Sequence, residues 1–403
     1  MPHAARQITF GSVCSGIEAA SMAWGPLGWR AAFLSEIEAA PRAVLAARHG
    51  AWDVGRADRA DGPPLFADFT AIRVRHLRRL GVAMPDVLAG GTPCQSFSFA
   101  GKRQSLADAR GNLSLAFVKL AHALDAARQH DGDTGLAVVW ENVPGCLSTA
   151  DNAFGCLLAA FVGADAPLCS PLERGRWSDA GMVAGPRARA AWRIFDAQYF
   201  GLAQRRRRVV LVVGFRNGPD PAAILFERAG VSGNPPARRQ ARQDLAGTLN
   251  ARASGGGGLG TDFELGGGLI AEVAQIAIAI NLRGRAGGSQ MEVDDLASLR
   301  AAVGGSSRSY VQSATGSPAE SDQRECRAVR RLTPVECERL QGFPDGYTLV
   351  EYPTANPKGR MMADGPRYKM LGNSWAVPLF AAIGQRLDAA LRGLPLSGDI
   401  IVR

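Results

Sequence analysis

No apolar run in the 403 residues reaches the roughly 18 to 20 positions that a bilayer-spanning helix needs, so a soluble globular protein is expected. The N-terminal stretch Met1–Thr9 lacks the apolar core of a signal peptide, and a cytoplasmic location is the expectation that follows. Cysteine pairing is missing too. The seven cysteines (Cys14, Cys94, Cys146, Cys156, Cys169, Cys326 and Cys337) are odd in number, and none forms a Cys-x-x-Cys pair or joins a Cys/His cluster. Reduced thiols are expected, with no disulfide framework and no zinc or other metal. No Gly-x-Gly-x-x-Gly follows the first apolar run, which removes the fingerprint of a Rossmann-type dehydrogenase.

At 46% hydrophobic, the chain can bury enough core for one large domain and one smaller one. Its formal charge of +9 favours an anionic partner, nucleic acid first. Short apolar runs alternate with helical patterns through the first half, the signature of βαβ units and a parallel sheet. Strands are predicted at Gln7–Val13, Ala31–Ser35, Asp86–Ala89, Leu136–Trp140 and Val209–Phe215, with helices at Glu38–Arg48 and Asn112–Arg128. The fold class expected is α/β, a doubly wound and mostly parallel sheet with ligands gathered at the carboxyl ends of its strands.

From about Arg216 to Arg327 the composition shifts to Gly, Arg, Ser and Ala, including the run Gly255–Gly258, which reads as a second, loop-rich module. Within it Asp244-Leu245-Ala246-Gly247-Thr248-Leu249 resembles Asp295-Leu296-Ala297-Ser298-Leu299 with one residue skipped; chance similarity in a biased segment is an equal reading. Helical patterning returns at Thr333–Gln341, with Thr333 as N-cap and Glu336 three residues on, and at Val377–Leu391. The division expected is a catalytic and cofactor-binding domain at 1–215, a module at 216–327, and a part completing the first domain at 328–403.

Three strand ends carry chemistry. Gly90-Gly91-Thr92-Pro93-Cys94-Gln95-Ser96-Phe97-Ser98 follows a predicted strand, and its flanking glycines and proline disfavour reading Cys94 as a small core hydrophobe. Glu141 ends the strand Val138-Val139-Trp140, and alone would read as a solvated turn residue. Gln204-Arg205-Arg206-Arg207-Arg208 leads into Val209–Phe215, and alone would read as a solvated or phosphate-binding face.

Taken in order, Pro93-Cys94-Gln95, Glu141-Asn142-Val143, Gln204-x-Arg206-x-Arg208 and Gly372-Asn373-Ser374 resemble the motifs of the DNA cytosine-C5 methyltransferases, over about Phe10–Phe215 and Arg331–Leu391. The resemblance implies the roles. Cys94 adds as thiolate to cytosine C6, making C5 nucleophilic toward the methyl group of S-adenosyl-L-methionine. Glu141 binds the N3 and N4 edge, Arg208 contacts O2, and Arg206 holds the base and keeps the Cys94 surroundings electropositive. The target nucleotide is flipped from the duplex. The loop Ser96–Gln104, with Gln95, Ser96, Lys102 and Arg103, matches the family's mobile active-site loop, or is an ordinary basic loop.

For the cofactor, Phe10–Ala20 resembles the family's first motif, from which Cys14, Gly16 and Ile17 are taken as contacts. The pattern departs at Ser12 and Cys14, where many members carry an acid and an aromatic, and at Ala19, where a glycine is usual. Glu36, with Ile37, matches the acid that takes the ribose hydroxyls, and Asp68, with Phe69, the acid that takes the adenine amine. Pro93, Leu113 and Asn373 resemble further pocket positions; a helix-start acid, a turn residue and a core residue are the plain readings of Glu36, Asp68 and Leu113. Residues 216–327 become the target recognition domain, in which Thr248-Leu249 matches a short family element and Arg252 is one of several arginines offered to double-stranded DNA. Departures around Cys14 resemble phage- and prophage-borne members. They imply DNA modification, with a cognate restriction endonuclease as a possible partner, by a monomer in a bacterial or phage-infected cell. Two alternatives stay open: an RNA cytosine-C5 methyltransferase and a non-catalytic DNA-binding relative.

Overall fold

Continuous apolar runs bounded by Gly and polar residues become the central strands. A computed structural model describes residues 6–55, 61–92, 113–172, 175–226, 277–285, 288–292, 309–313, 328–330, 332–352 and 360–396. Nine strands form the main sheet: β1 (Thr9–Val13), β2 (Arg30–Ser35), β3 (Trp52–Asp53), β4 (Pro64–Phe66), β5 (Val87–Gly90), β6 (Ala137–Asn142), β7 (Ala180–Ala184), β8 (Ala188–Asp196) and β9 (Arg207–Phe215). Their order is β3-β4-β2-β1-β5-β6-β9-β8-β7. Every pair from β3 to β6 is parallel, while β9 runs antiparallel to β6 and β7 to β8. The sheet is therefore the expected doubly wound, mostly parallel one, with an antiparallel extension at one edge. All residues of β5 and β6 are buried, as befits strands covered on both faces.

Around the sheet lie α1 (Ala19–Trp24), α2 (Ala39–His49), α3 (Val74–Arg79), α4 (Leu113–His130), α5 (Ala153–Val162) and α6 (Pro221–Leu225). Close strand packing fixes Gly11: a Cβ there would stand 2.3 Å from the Phe33 ring, so no larger residue fits where β1 shifts register against β2. The main core gathers Val13, Phe33, Leu88, Phe117, Leu124, Val138, Trp140, Phe161, Leu211 and Val213.

The chain divides into two compact units, one of residues 1–195, 207–234 and 379–403, the other of 196–206 and 235–378. In the second unit four strands, β10 (Ala277–Arg285), β11 (Gly288–Glu292), β12 (Ser309–Ser313) and β13 (Ala328–Arg330), pair antiparallel in the order β11-β10-β12-β13. Some of the stretch read as loop-rich is thus a sheet. The same unit holds α7 (Pro334–Gln341) and α8 (Asp364–Asn373). Thr333 caps α7 in a capping box with Glu336. The last helix, α9 (Val377–Leu391), fixes most of its length in the first unit: Trp24 Nε1 donates to Phe380 O at 2.9 Å, and Arg386 donates to the carbonyls of Ala223, Ile224 and Phe226. No helix among the described residues is long and apolar enough to cross a membrane.

Candidate active site

Strand order reverses between β1 and β5, and a doubly wound sheet opens its ligand crevice outside the carboxyl ends at such a point. On one side of that point the turn after β1 is unusual. Cys14, Gly16 and Glu18 all take positive φ, at 51°, 55° and 64°. Only Gly16 does so without a steric penalty, so the other two hold strain that the surrounding structure must stabilise. Ser15 ties the turn to β2: its amide donates to Ser35 O at 3.0 Å, and its hydroxyl accepts from Ser35 N at 3.1 Å.

Glu36, just past β2, is 8% exposed and receives Gly16 N–H on Oε2 and Glu38 N–H on Oε1, each at 2.8 Å. Burial raises its carboxyl above the usual range, against the lowering effect of these amides. Ile37 beside it is 76% exposed. Asp68 is exposed and caps the turn Phe69–Ala71, accepting from Thr70 N and Oγ1 at 2.8 Å each. Cys14 feels both acids: its thiol is pushed up to about 12, first by burial and then by the charges of Glu36 and Asp68. Cys14, Gly16, Glu36 and Asp68 are therefore neighbours. Ile17 is fully buried, Phe69 lies in the main core, and Leu113 packs against that core from the start of α4.

On the other side stand β5, β6 and β9. Glu141 and Arg208 form an ion pair, Arg208 Nε to Glu141 Oε1 at 2.9 Å, with side chains only 10% and 9% exposed. Asn142 donates through Nδ2 to Thr92 O at 2.9 Å and accepts Val143 N at 2.8 Å. Thr92 Oγ1 accepts from Trp140 Nε1 at 3.0 Å and lies 2.8 Å from Ser114 Oγ. The chain is thus pinned from three directions two residues before Cys94 in the sequence.

The second unit holds Arg206 and Asn373. Arg206 is 2% exposed, and its Nη2 donates to Gly372 O at 3.0 Å and Ser374 O at 2.7 Å. Gln204 Nε2 donates to Leu340 O at 2.8 Å, and Asn373 itself is exposed at the end of α8. The structure thus brings Glu141 to Arg208, and Arg206 to the backbone on either side of Asn373. Pro93, Cys94, Gln95, Ser96, Lys102, Arg103, Thr248, Leu249, Arg252 and both copies of the short repeat lie outside the described residues.

Sequence reasoning passed over Glu18 and the Thr92 anchor. The pairing of Asn142 with Glu141 in one motif was the available signal for the anchor. For Glu18 the sequence held no signal beyond an acid at the start of a helix. Among the described residues no three His, Cys, Asp or Glu side chains are grouped to hold a metal.

The donor set of the turn suits a cationic adenosyl ligand. A buried carboxylate stands at the end of β2, and Glu18 Oε2 is a buried acceptor with no hydrogen bond of normal geometry among the described residues, the Ser12 and Ser15 hydroxyls lying near. The fold and these strand ends define a Rossmann-like methyltransferase whose methyl donor is S-adenosyl-L-methionine. More narrowly, residues 8–164 and 189–389 match the C-5 cytosine-specific DNA methylases, and the chain belongs to that family.

Among curated relatives, a DNA N-6-adenine-methyltransferase of Escherichia phage P1 is 36% identical over 481 residues, covering 96% of this chain and 62% of that protein. The chain thus spans less than two thirds of that relative. Type II methyltransferase M.HpaII of Haemophilus parainfluenzae is 25% identical over 332 residues, 77% of this chain and 73% of that protein. Among solved structures, a DNA modification methyltransferase encoded within an E. coli prophage aligns over 96% of this chain and 98% of its own, at 14% identity and a TM-score of 0.48.

Proposed function

We propose that the protein methylates C5 of a flipped-out cytosine within a specific duplex DNA sequence, through a covalent bond from Cys94 to C6. The observation that carries this reading is the buried Glu141–Arg208 pair at the ends of β6 and β9, beside the pinned Thr92 that leads to Cys94. S-adenosyl-L-methionine supplies an electrophilic methyl group. Glu141 hydrogen-bonds the N3 and N4 edge of the base and, with Arg208 on O2, stabilises charge developing in the ring as the thiolate adds. Loss of the C5 proton then lets the Cys94 sulfur leave. Arg206 acts as a positioning residue that braces the backbone around Asn373. Cys14, Gly16, Ile17, Glu36, Ile37, Asp68, Phe69, Pro93, Leu113 and Asn373 line or support the donor pocket. Gln95, Ser96, Lys102 and Arg103 contact the DNA around the target base, and Thr248, Leu249 and Arg252 belong to a recognition module at 216–327. Residues 1–215 and 328–403 together form the catalytic part.

The biological setting we infer is DNA modification by a monomer in the cytoplasm of a bacterial or phage-infected cell, protecting sites from a restriction endonuclease. The name of the phage P1 relative raises a second reading, N6-adenine methylation. An exocyclic amine attacks a methyl donor without covalent activation of the ring, so that chemistry has no use for Cys94, and more than a third of that relative has no counterpart here.

Expression in a host free of DNA methylation decides between them. Wild type should deposit 5-methylcytosine at one sequence and no N6-methyladenine, and Cys94→Ser should deposit neither while still binding S-adenosylhomocysteine. N6-methyladenine, or an active Cys94→Ser variant, overturns the reading. Methylation of transfer RNA and not of duplex DNA would assign the RNA alternative.

A further inference from the structure

Glu18 is the acidic group the reaction scheme leaves unused. Its residue is fully buried, although it opens α1 on a left-handed backbone that favours glycine. Oε1 accepts from the Ser21 amide at 3.2 Å and from the Ser21 hydroxyl at 3.3 Å. Oε2 is buried and makes no hydrogen bond of normal geometry among the described residues, although the Ser12 and Ser15 hydroxyls lie near enough to favour the ionised form. Among the described residues no lysine or arginine pairs with it. A carboxylate enclosed without a counter-cation is costly unless a positive charge arrives nearby.

The strand order says where such a charge would sit. Glu36 and Asp68 follow β2 and β4, so the adenosine half of the methyl donor belongs over those strands. Glu141 ends β6, so the transferable methyl group must point past β5. The methionine half, with its sulfonium and ammonium, then crosses the turn after β1 that holds Gly16 and Glu18.

We infer that Glu18 is the buried counter-charge for the cationic methyl donor, acting through the Cys14–Ile17 turn to favour S-adenosyl-L-methionine over its neutral-sulfur product. This rests on the S-adenosyl-L-methionine reading of the site. S-adenosylhomocysteine shares every group with the donor except the methyl and the sulfonium charge. A counter-charge therefore discriminates the two, whereas a merely structural residue does not. Interaction across several ångströms at a partly shielded site corresponds to about a tenfold preference.

Isothermal titration of the full chain with each ligand tests this. Glu18→Gln should weaken S-adenosyl-L-methionine binding about tenfold and leave S-adenosylhomocysteine binding within about twofold. Equal loss of both, loss of neither, or failure of the variant to fold assigns Glu18 a structural role and overturns the proposal. A second measurement follows proton release. Titrations near pH 6.5 in buffers of different ionisation enthalpy should show about half a proton more released on binding the donor than the product, as Glu18 ionises. Cys14, Glu36 and Asp68 feel the sulfonium as well, so the same titrations on Glu18→Gln give their share, and the extra half proton should be missing there. Identical proton release also overturns the proposal. If the wild type binds neither ligand, the donor reading itself falls.

Discussion

Removing half of the Glu141–Arg208 pair should cost far more stability than removing all of it. At 2.9 Å and with both side chains about nine-tenths buried, the pair gains on the order of 5 kcal/mol of attraction at an effective dielectric of about 20. Desolvating two ions costs a similar amount, so the net contribution to folding is small. Glu141→Gln leaves a buried guanidinium without its counter-charge, and Arg208→Met leaves a buried carboxylate. Each should lower stability by about 3 kcal/mol in urea unfolding followed by circular dichroism. The double variant should recover most of a single variant's loss and cost only about 1 kcal/mol, which makes the coupling about 5 kcal/mol. Its methyl transfer should nevertheless stay as low as that of either single variant, because no acid remains to hold the base edge. If the single losses add within about 0.5 kcal/mol, the two groups are not energetically paired and the proposed site geometry is wrong.

Burial raises the Glu18 carboxyl from 4.5 to about 7, so the folded protein binds this proton more tightly than the unfolded chain does. Stability from that source is complete below about pH 4.5 and is lost as pH rises through about 7, a change of about 3 kcal/mol. His49 works the other way, its imidazole lowered to about 4 by burial, and so offsets part of the Glu18 slope in the wild type. Glu18→Gln should therefore gain about 2 to 3 kcal/mol relative to wild type between pH 5 and pH 8 in thermal unfolding; a constant difference would refute the burial argument. Thr333→Ala removes the hydroxyl half of the α7 capping box while the residue-333 amide still donates to Glu336, and should cost about 1 kcal/mol in the same assay, with no change in ligand affinity.

Legibility in the sequence followed burial. Strands β1, β2, β5, β6 and β9 appear within about two residues of where unbroken apolar runs place them, because strands covered on both faces need no alternation. Val377–Leu391 keeps its bounds as α9. Hidden were β3 and β4, of two and three residues, too short for any period to register. Also hidden was β10, where Ile278, Ile280 and Leu282 alternate with small residues inside a Gly-rich stretch read as loop. α5 is buried over nearly all its length, so AFGCLLAAFV shows no polar face to mark a helix. At the site, Glu36 and Glu141 could be placed because an acid ending an apolar run must fall at a strand end. Glu18 could not, because an acid beginning a helix is ordinary in sequence, and only the fold shows that it is enclosed. The Asn142 hold on Thr92 is equally invisible, since it spans 50 positions and depends on β5 lying beside β6.

The arrangement separates charge by strand order. The turns after β1, β2 and β4 carry Glu18, Glu36 and Asp68, and the arginine that reaches them, Arg42, donates to the Glu36 carbonyl and is ion-paired with Asp53; the proposed reading puts the cationic donor there. Beyond β5 the acid at the end of β6 is matched at once by Arg208 from β9, which suits a neutral base that gains charge only as it reacts. In the proposed reading a second uncompensated acid on that side would repel the Cys94 thiolate, and on the donor side the charge of Arg42 is offset by Asp53. The antiparallel β9 resolves the conflict. Because it enters the sheet against β6 from the carboxyl end, its first residues place Arg208 beside Glu141, whereas a parallel strand would bring its amino end to the opposite edge of the sheet.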